Sequence, residues 1–110
     1  MSERDFQQQI TDLATVLGWL WCHFRPAQTS KGWRTPVSGP LGKGFPDLMM
    51  LRERDRRLIF AELKRDGAKT TPDQDFVLRE LGWLASGDGR RVETYVWRPS
   101  DFDTIAEVLR

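Results

Sequence analysis

Three residues have the types and spacing to do chemistry together: Asp47, Glu62 and Lys64. Two apolar runs, 48–51 and 58–61, flank the charged residues RERDRR at 52–57. That pattern reads as two β-strands joined by a tight, solvated turn. Centring the turn on Arg54 and Asp55 sets Leu51 opposite Leu58, Met49 opposite Phe60 and Asp47 opposite Glu62. Directly opposed residues have Cβ atoms about 4.5–5.5 Å apart, and like charges so placed repel. A divalent cation would offset that repulsion. Side chains alternate faces along a strand, so Lys64 projects with Glu62 while Leu63 projects the other way. A slip of one residue would send Asp47 to the face away from Glu62.

Pro46-Asp47, followed fifteen residues later by Glu62-Leu63-Lys64, resembles the PD-(D/E)XK nuclease motif. With Gly44 before it and Gln74 after it, the chain most resembles the VRR-NUC branch, the virus-type replication-repair nucleases, in the small stand-alone form found in phages. The resemblance runs over nearly the whole chain. It implies a restriction-endonuclease-like domain and a Mg²⁺- or Mn²⁺-dependent deoxyribonuclease that hydrolyses phosphodiester bonds. The substrate class it implies is branched DNA, such as four-way (Holliday) junctions or flaps, in phage or bacterial replication, recombination or repair. A chain with one site would need a second copy to cut a four-way junction symmetrically, so a homodimer is expected.

With 110 residues, residues 1–110 are expected to form one domain around a single core. Hydrophobic content of 39%, with five Trp and six Phe, argues for a packed globule. The net charge of +1 hides an uneven distribution: from Leu13 to Pro46 there is no acidic residue, while Arg25, Lys31, Arg34 and Lys43 fall there. A local basic surface is expected from that stretch. The single cysteine, Cys22, excludes an internal disulfide, and no Cys/His spacing suits zinc. A cytoplasmic setting is the simplest, and for a phage-encoded chain it would be that of the bacterial host. No run approaches the roughly 18 apolar residues of a membrane span, and the N-terminus lacks a signal-peptide pattern. No membrane partner and no small-molecule cofactor is expected.

The elements that must position the acids follow from periodicity. Residues 3–17 place Phe6, Ile10, Leu13, Ala14 and Leu17 on one helical stripe, with Ser2 as N-cap and Gly18 as stop. Glu3 projects within that stripe, and so is the helix carboxylate turned toward the core; the alternative is a charge that only complements the helix dipole. The family usually carries a Glu in its first helix near the metal, which implies that role for Glu3. Residues 19–24, WLWCHF, suit a buried strand, with His23 on the face of Trp19 and Trp21. His23 reads first as a packed residue; related phage sequences often show a His nearby, which keeps it as a peripheral candidate.

Residues 25–43, with three Pro, three Gly and interleaved basic residues and Trp33, read as a long loop facing substrate, mobile and suited to phosphate contacts and stacking. Both faces of the hairpin are apolar, which calls for helices on both sides of the sheet. Thr71, Pro72 and Gln74 form a capping-box pattern for a second helix through Val77, Leu81 and Leu84 to about Ser86-Gly87. Gln74 therefore has a capping role, while the family commonly has a Gln here near the catalytic centre. Lys69 is a weaker phosphate-contact candidate. Residues 92–97 alternate as a strand, parallel to its predecessor through a right-handed crossover. Pro99 ends it, and Ser100 with Asp103 starts a last helix carrying Phe102, Ile105, Ala106 and Leu109. The expected architecture is α/β, a single α/β/α layered domain of order α-β-β-β-α-β-α with a mixed central sheet.

In that frame Asp47 and Glu62 are hard oxygen ligands for magnesium or manganese, with the Leu63 backbone carbonyl and Glu3 as further ligands. Lys64 would orient a water and stabilise developing negative charge. The alternative is a catalytically inactive nucleic-acid-binding or assembly module on the same fold.

Overall fold

The polypeptide, in a computed structural model, folds as a small α/β domain with a four-stranded mixed sheet and three helices. The structure describes residues 1–24, 27–30, 32–34, 37–84 and 91–110, with the backbone alone at 27–29, 33, 34 and 91. Ser2 is extended and its hydroxyl accepts from the Asp5 N–H at 3.0 Å, so helix α1 (Glu3–Val16) begins there. Gly18, at φ +86, turns the chain out of that helix, a conformation glycine adopts without strain.

Strand β1 (Leu20–His23) follows, then β2 (Ala27–Thr29) and β3 (Gly32–Arg34). β2 and β3 pair antiparallel as a separate two-stranded sheet. The expected loop at 25–43 thus contains a ribbon: Gly32, at φ +97, permits the tight reversal that Pro and Gly content alone suggested as irregular chain. β4 (Leu48–Arg52) and β5 (Arg57–Leu63) form the central hairpin. A 3₁₀ turn, Glu53–Asp55, joins them, and Arg56 at φ +55 closes it. The pairing is Met49 with Phe60 and Leu51 with Leu58, as alternation predicts.

Helix α2 (Pro72–Trp83) starts with the capping box: Thr71 Oγ accepts from Gln74 N at 3.2 Å, and Gln74 Oε1 accepts from Thr71 N at 2.9 Å. It ends at Trp83, before the expected Ser86-Gly87, which lie outside the described residues. β6 (Arg91–Trp97) runs parallel to β5, giving the sheet order β1-β4-β5-β6. A 3₁₀ turn, Pro99–Asp101, precedes α3 (Phe102–Leu109). Ser100 does not cap that helix. Its N–H instead donates to Asp66 Oδ1 at 3.1 Å, and Asp101 accepts from Arg98 N at 2.9 Å.

One sheet face carries the main core. Leu48, Met50, Ile59, Ala61, Leu63 and Trp97 pack there against Phe6, Ile10 and Ala14 of α1 and Ile105 and Leu109 of α3. The other face carries α2, with Val77 buried and Gly82 set close to Thr94 of β6. α2 lies over the β5–β6 half, so the expected burial of both hairpin faces holds only partly: Leu51 is exposed, and Met49 and Leu58 are half-buried. β1 is an edge strand and not a buried one, with Leu20 70% exposed. The aromatic residue that does enter the core is Trp19, just before it.

Two arginines fasten this face. Arg52, 3% exposed, donates to the carbonyls of Leu17, Leu109 and Arg110 and to both Asp55 oxygens. Its guanidinium and that of Arg57 lie over the Trp19 ring, at 4.5 and 5.0 Å from the centroid. A buried cation is tolerated there because carbonyls, a carboxylate and a π-face all answer it. Among the described residues no helix is long and apolar enough to cross a membrane.

Candidate functional site

The site is built where β4, β5 and α2 meet, on the face that α2 covers. Asp47 sits just before β4, and its carbonyl accepts from Phe24 N at 2.8 Å. Its main chain therefore points toward β1, and its side chain is left to face β5. Asp47 Oδ2 accepts from Leu63 N at 2.8 Å. One step beyond the last hairpin pair, Leu48 with Ala61, the register brings Asp47 level with Glu62.

Glu62 is 3% exposed. Its Oε1 accepts from Gln74 Nε2 at 3.1 Å, while the other end of the same amide caps α2. One side chain thus caps the helix and ties its start to the buried carboxylate. Gly44 makes the approach possible. It lies in a 3₁₀ turn, Gly42–Gly44, against the first turn of α2, where a Cβ would overlap the Asp73 carbonyl and come within 2.7 Å of Gln74 N.

These residues open onto a cleft of about 350 Å³ lined by Asp47, Glu62, Gln74, Lys43, Phe24 and Phe45, and walled on one side by residues 37–39. Phe24, Phe45 and Phe60 stack edge to face, with centroids 4.9 and 5.9 Å apart. Sequence reasoning passed over these rings, which are far apart in the chain; Phe45 beside the Pro46-Asp47 pair was the available signal. Two of them, Phe24 and Phe45, line the cleft beside the carboxylates.

No family model, curated protein or solved structure matches the chain.

The other candidates divide by sheet face. Lys64 is half-buried just past β5, where its N–H donates to the Trp97 carbonyl at 3.0 Å, and it is not among the described residues that line the cleft. Lys43 is at the cleft rim, with its ammonium 3.4 Å from Asp73 and largely exposed. Lys69 is exposed in the segment before α2. Glu3 is exposed in the first turn of α1, which packs on the opposite sheet face. His23 pairs with Leu48, so it too belongs to that opposite face, at the edge, where its ring stacks on Trp21. Neither Glu3 nor His23 is among the described residues that line the cleft. Arg25 and Lys31, and the side chain of Arg34, lie outside the described residues.

Among the described residues no three His, Cys, Asp or Glu side chains gather as a metal cage. A different donor set is present: two carboxylates on neighbouring strands and the Leu63 main chain. Within a strand the N–H and C=O of one residue point the same way, and the Leu63 N–H points at Asp47. That set suits a hard cation such as Mg²⁺, which keeps several waters and is held through one or two carboxylates plus substrate phosphate.

Proposed function

We propose that this chain is a metal-dependent DNA endonuclease, with the restriction-endonuclease-like architecture that the VRR-NUC resemblance implies. The observation that carries the proposal is the joining of Asp47 to the Leu63 N–H and of Glu62 to Gln74 at one cleft. Asp47, Glu62 and the Leu63 carbonyl would hold Mg²⁺ or Mn²⁺. When bound, the ion supplies an acidified water and a polarised phosphodiester.

The chain's own residues do the rest. Gln74 fixes the Glu62 carboxylate in one rotamer, and the Asp47–Leu63 hydrogen bond fixes the other acid, so both are preorganised before substrate arrives. Lys64 orients the attacking water and offsets negative charge building on the phosphate. Lys43 at the rim, and Lys69, contact flanking phosphates. The basic stretch with Arg25, Lys31 and Arg34 adds to the DNA-facing surface. Hydrolysis proceeds without a covalent enzyme intermediate. The substrate class is branched DNA, four-way junctions or flaps, processed in replication, recombination or repair.

The test is a cleavage panel of four-way junction, 5′ flap, single strand and duplex under Mg²⁺ and Mn²⁺, with Glu62→Gln as control. The branched substrates are cut and Glu62→Gln cuts none while still binding DNA. Equal cutting of all four refutes structure specificity. Binding without cleavage under either metal makes the chain a DNA-binding module instead.

A further inference from the structure

The cleft has an aromatic side to which the hydrolytic reading gives no task. Phe24 and Phe45 line it together with Asp47 and Glu62, and both are half-buried, so each keeps surface open to the cleft. Phe60, 8% exposed, is not among the described lining residues; it braces Phe45 edge to face at 5.9 Å. Phe24 meets Phe45 in the same manner at 4.9 Å.

The backbone fixes these rings relative to the acids. Phe24 N–H donates to the Asp47 carbonyl at 2.8 Å, and Phe45 precedes Asp47 by two residues. Edge-to-face packing holds the rings in place before any ligand arrives, which lowers the ordering cost of binding. Residues 37–39 also line the cleft, and Val37 is packed tightly on the Gly42–Gly44 turn, where a Cβ on Gly42 would stand 2.8 Å from the Val37 carbonyl. Aromatic faces beside paired carboxylates call for a flat, π-bearing group attached to a phosphate, which is a nucleotide. At about 350 Å³ the cleft has the size of a small-molecule site and takes one nucleotide, not a duplex step. A base within a duplex is stacked and paired, so its face reaches a protein ring only when it stands outside the stack.

We propose that Phe24 and Phe45 form a stacking platform for one unpaired nucleobase, next to the phosphate at Asp47 and Glu62. This inference rests on the nuclease reading of the cleft and supplies what that reading leaves open, the means by which the site tells branched DNA from continuous duplex. A flap or an opened branch point presents an unpaired nucleotide, and continuous duplex does not. Every base has a π-face, so the platform selects structure without selecting sequence.

The test is binding of a 5′ flap DNA by the full chain carrying Glu62→Gln, in Mg²⁺, followed by fluorescence anisotropy. Abasic sites replace the unpaired nucleotides one at a time outward from the branch. Removing the base at one position beside the branch weakens binding by about tenfold, while all four bases at that position bind alike. Phe45→Leu in the same background keeps an apolar side chain but loses the ring, and its binding no longer responds to the missing base. Phe24→Leu behaves in the same way, and Phe45→Tyr keeps the response. The abasic scan itself needs neither ring variant to fold. A scan with no sensitive position overturns the proposal, as does a sensitivity that persists in both leucine variants, a continuous duplex bound as tightly as the flap, or no binding of any DNA. Failure of the two readings is distinguishable with the unmutated chain. Cleavage of the flap without a sensitive position removes the platform alone, and a sensitive position without cleavage under Mg²⁺ or Mn²⁺ removes the nuclease reading alone.

Discussion

Gln74 spends both ends of its amide, one on the Thr71 N–H and one on the Glu62 carboxylate. A cap that served only the helix would affect stability alone when lost. Gln74→Ala should lower stability by about 1 kcal/mol, the usual size of a lost cap. Under the proposed endonuclease function it should also reduce DNA cleavage by about 10- to 100-fold, the usual cost of freeing a residue that orients a metal ligand. Thermal melts and single-turnover cleavage read the two effects separately, and a loss of stability with unchanged cleavage would make Gln74 a cap and nothing more. The capping half of this was legible from Thr71-Pro72-x-Gln74, because a capping box is local. The Glu62 half was not, since residues twelve apart in sequence meet only once α2 has docked.

At the scale of elements, the cleft depends on how closely the Gly42–Gly44 turn approaches the start of α2. Gly44 is required by that approach and not by its dihedral angles, since any side chain there would collide with the Asp73 carbonyl. Gly44→Ala should push the turn and the helix apart, costing about 1–3 kcal/mol as overpacking does. The same displacement should loosen the Gln74–Glu62 hydrogen bond and depress cleavage, although residue 44 touches no reacting atom. Chemical denaturation and cleavage on one preparation would check this; unchanged values of both would mean that the helix accommodates the methyl group. The hairpin register was legible because two apolar runs around a charged turn leave one alternation that buries both. The β2–β3 ribbon was not: Pro and Gly mark turns but do not say whether three residues on either side pair.

For the whole molecule, β6 and the core face are linked through Tyr95, the chain's single tyrosine. Its hydroxyl donates to Glu93 at 2.6 Å, and Glu93 also accepts from Nε and Nη2 of the Arg57 guanidinium, whose Nη1 donates to the Val108 carbonyl of α3. Burial first, and the Glu93 hydrogen bond and charge next, push the phenol from 10.0 up to about 12. The folded chain therefore keeps a proton that the unfolded chain releases. Stability from this group is complete below pH 10 and is lost as pH rises from 10 through 12. Phenolate absorbance reports that titration from one residue. In Tyr95→Phe the alkaline loss of stability should be shallower, and an identical slope in the variant would remove Tyr95 as its source.

What the sequence by itself determined was parity and punctuation: which residues of the hairpin share a face, that Met49 pairs with Phe60 and Leu51 with Leu58, and where Ser2 and Thr71 start helices. These follow from two-residue and 3.6-residue periods and from caps, all of which act within a few residues. Tertiary structure alone decided which helix covers which face. Glu3 lies on a stripe that points to the core, yet α1 packs on the sheet side away from the acids, and His23 goes with it. α2, on the other side, delivers Gln74 to Glu62. A periodic pattern states that a helix has an apolar side. The sheet's two faces, both apolar in sequence, are told apart only when the helices compete to bury them.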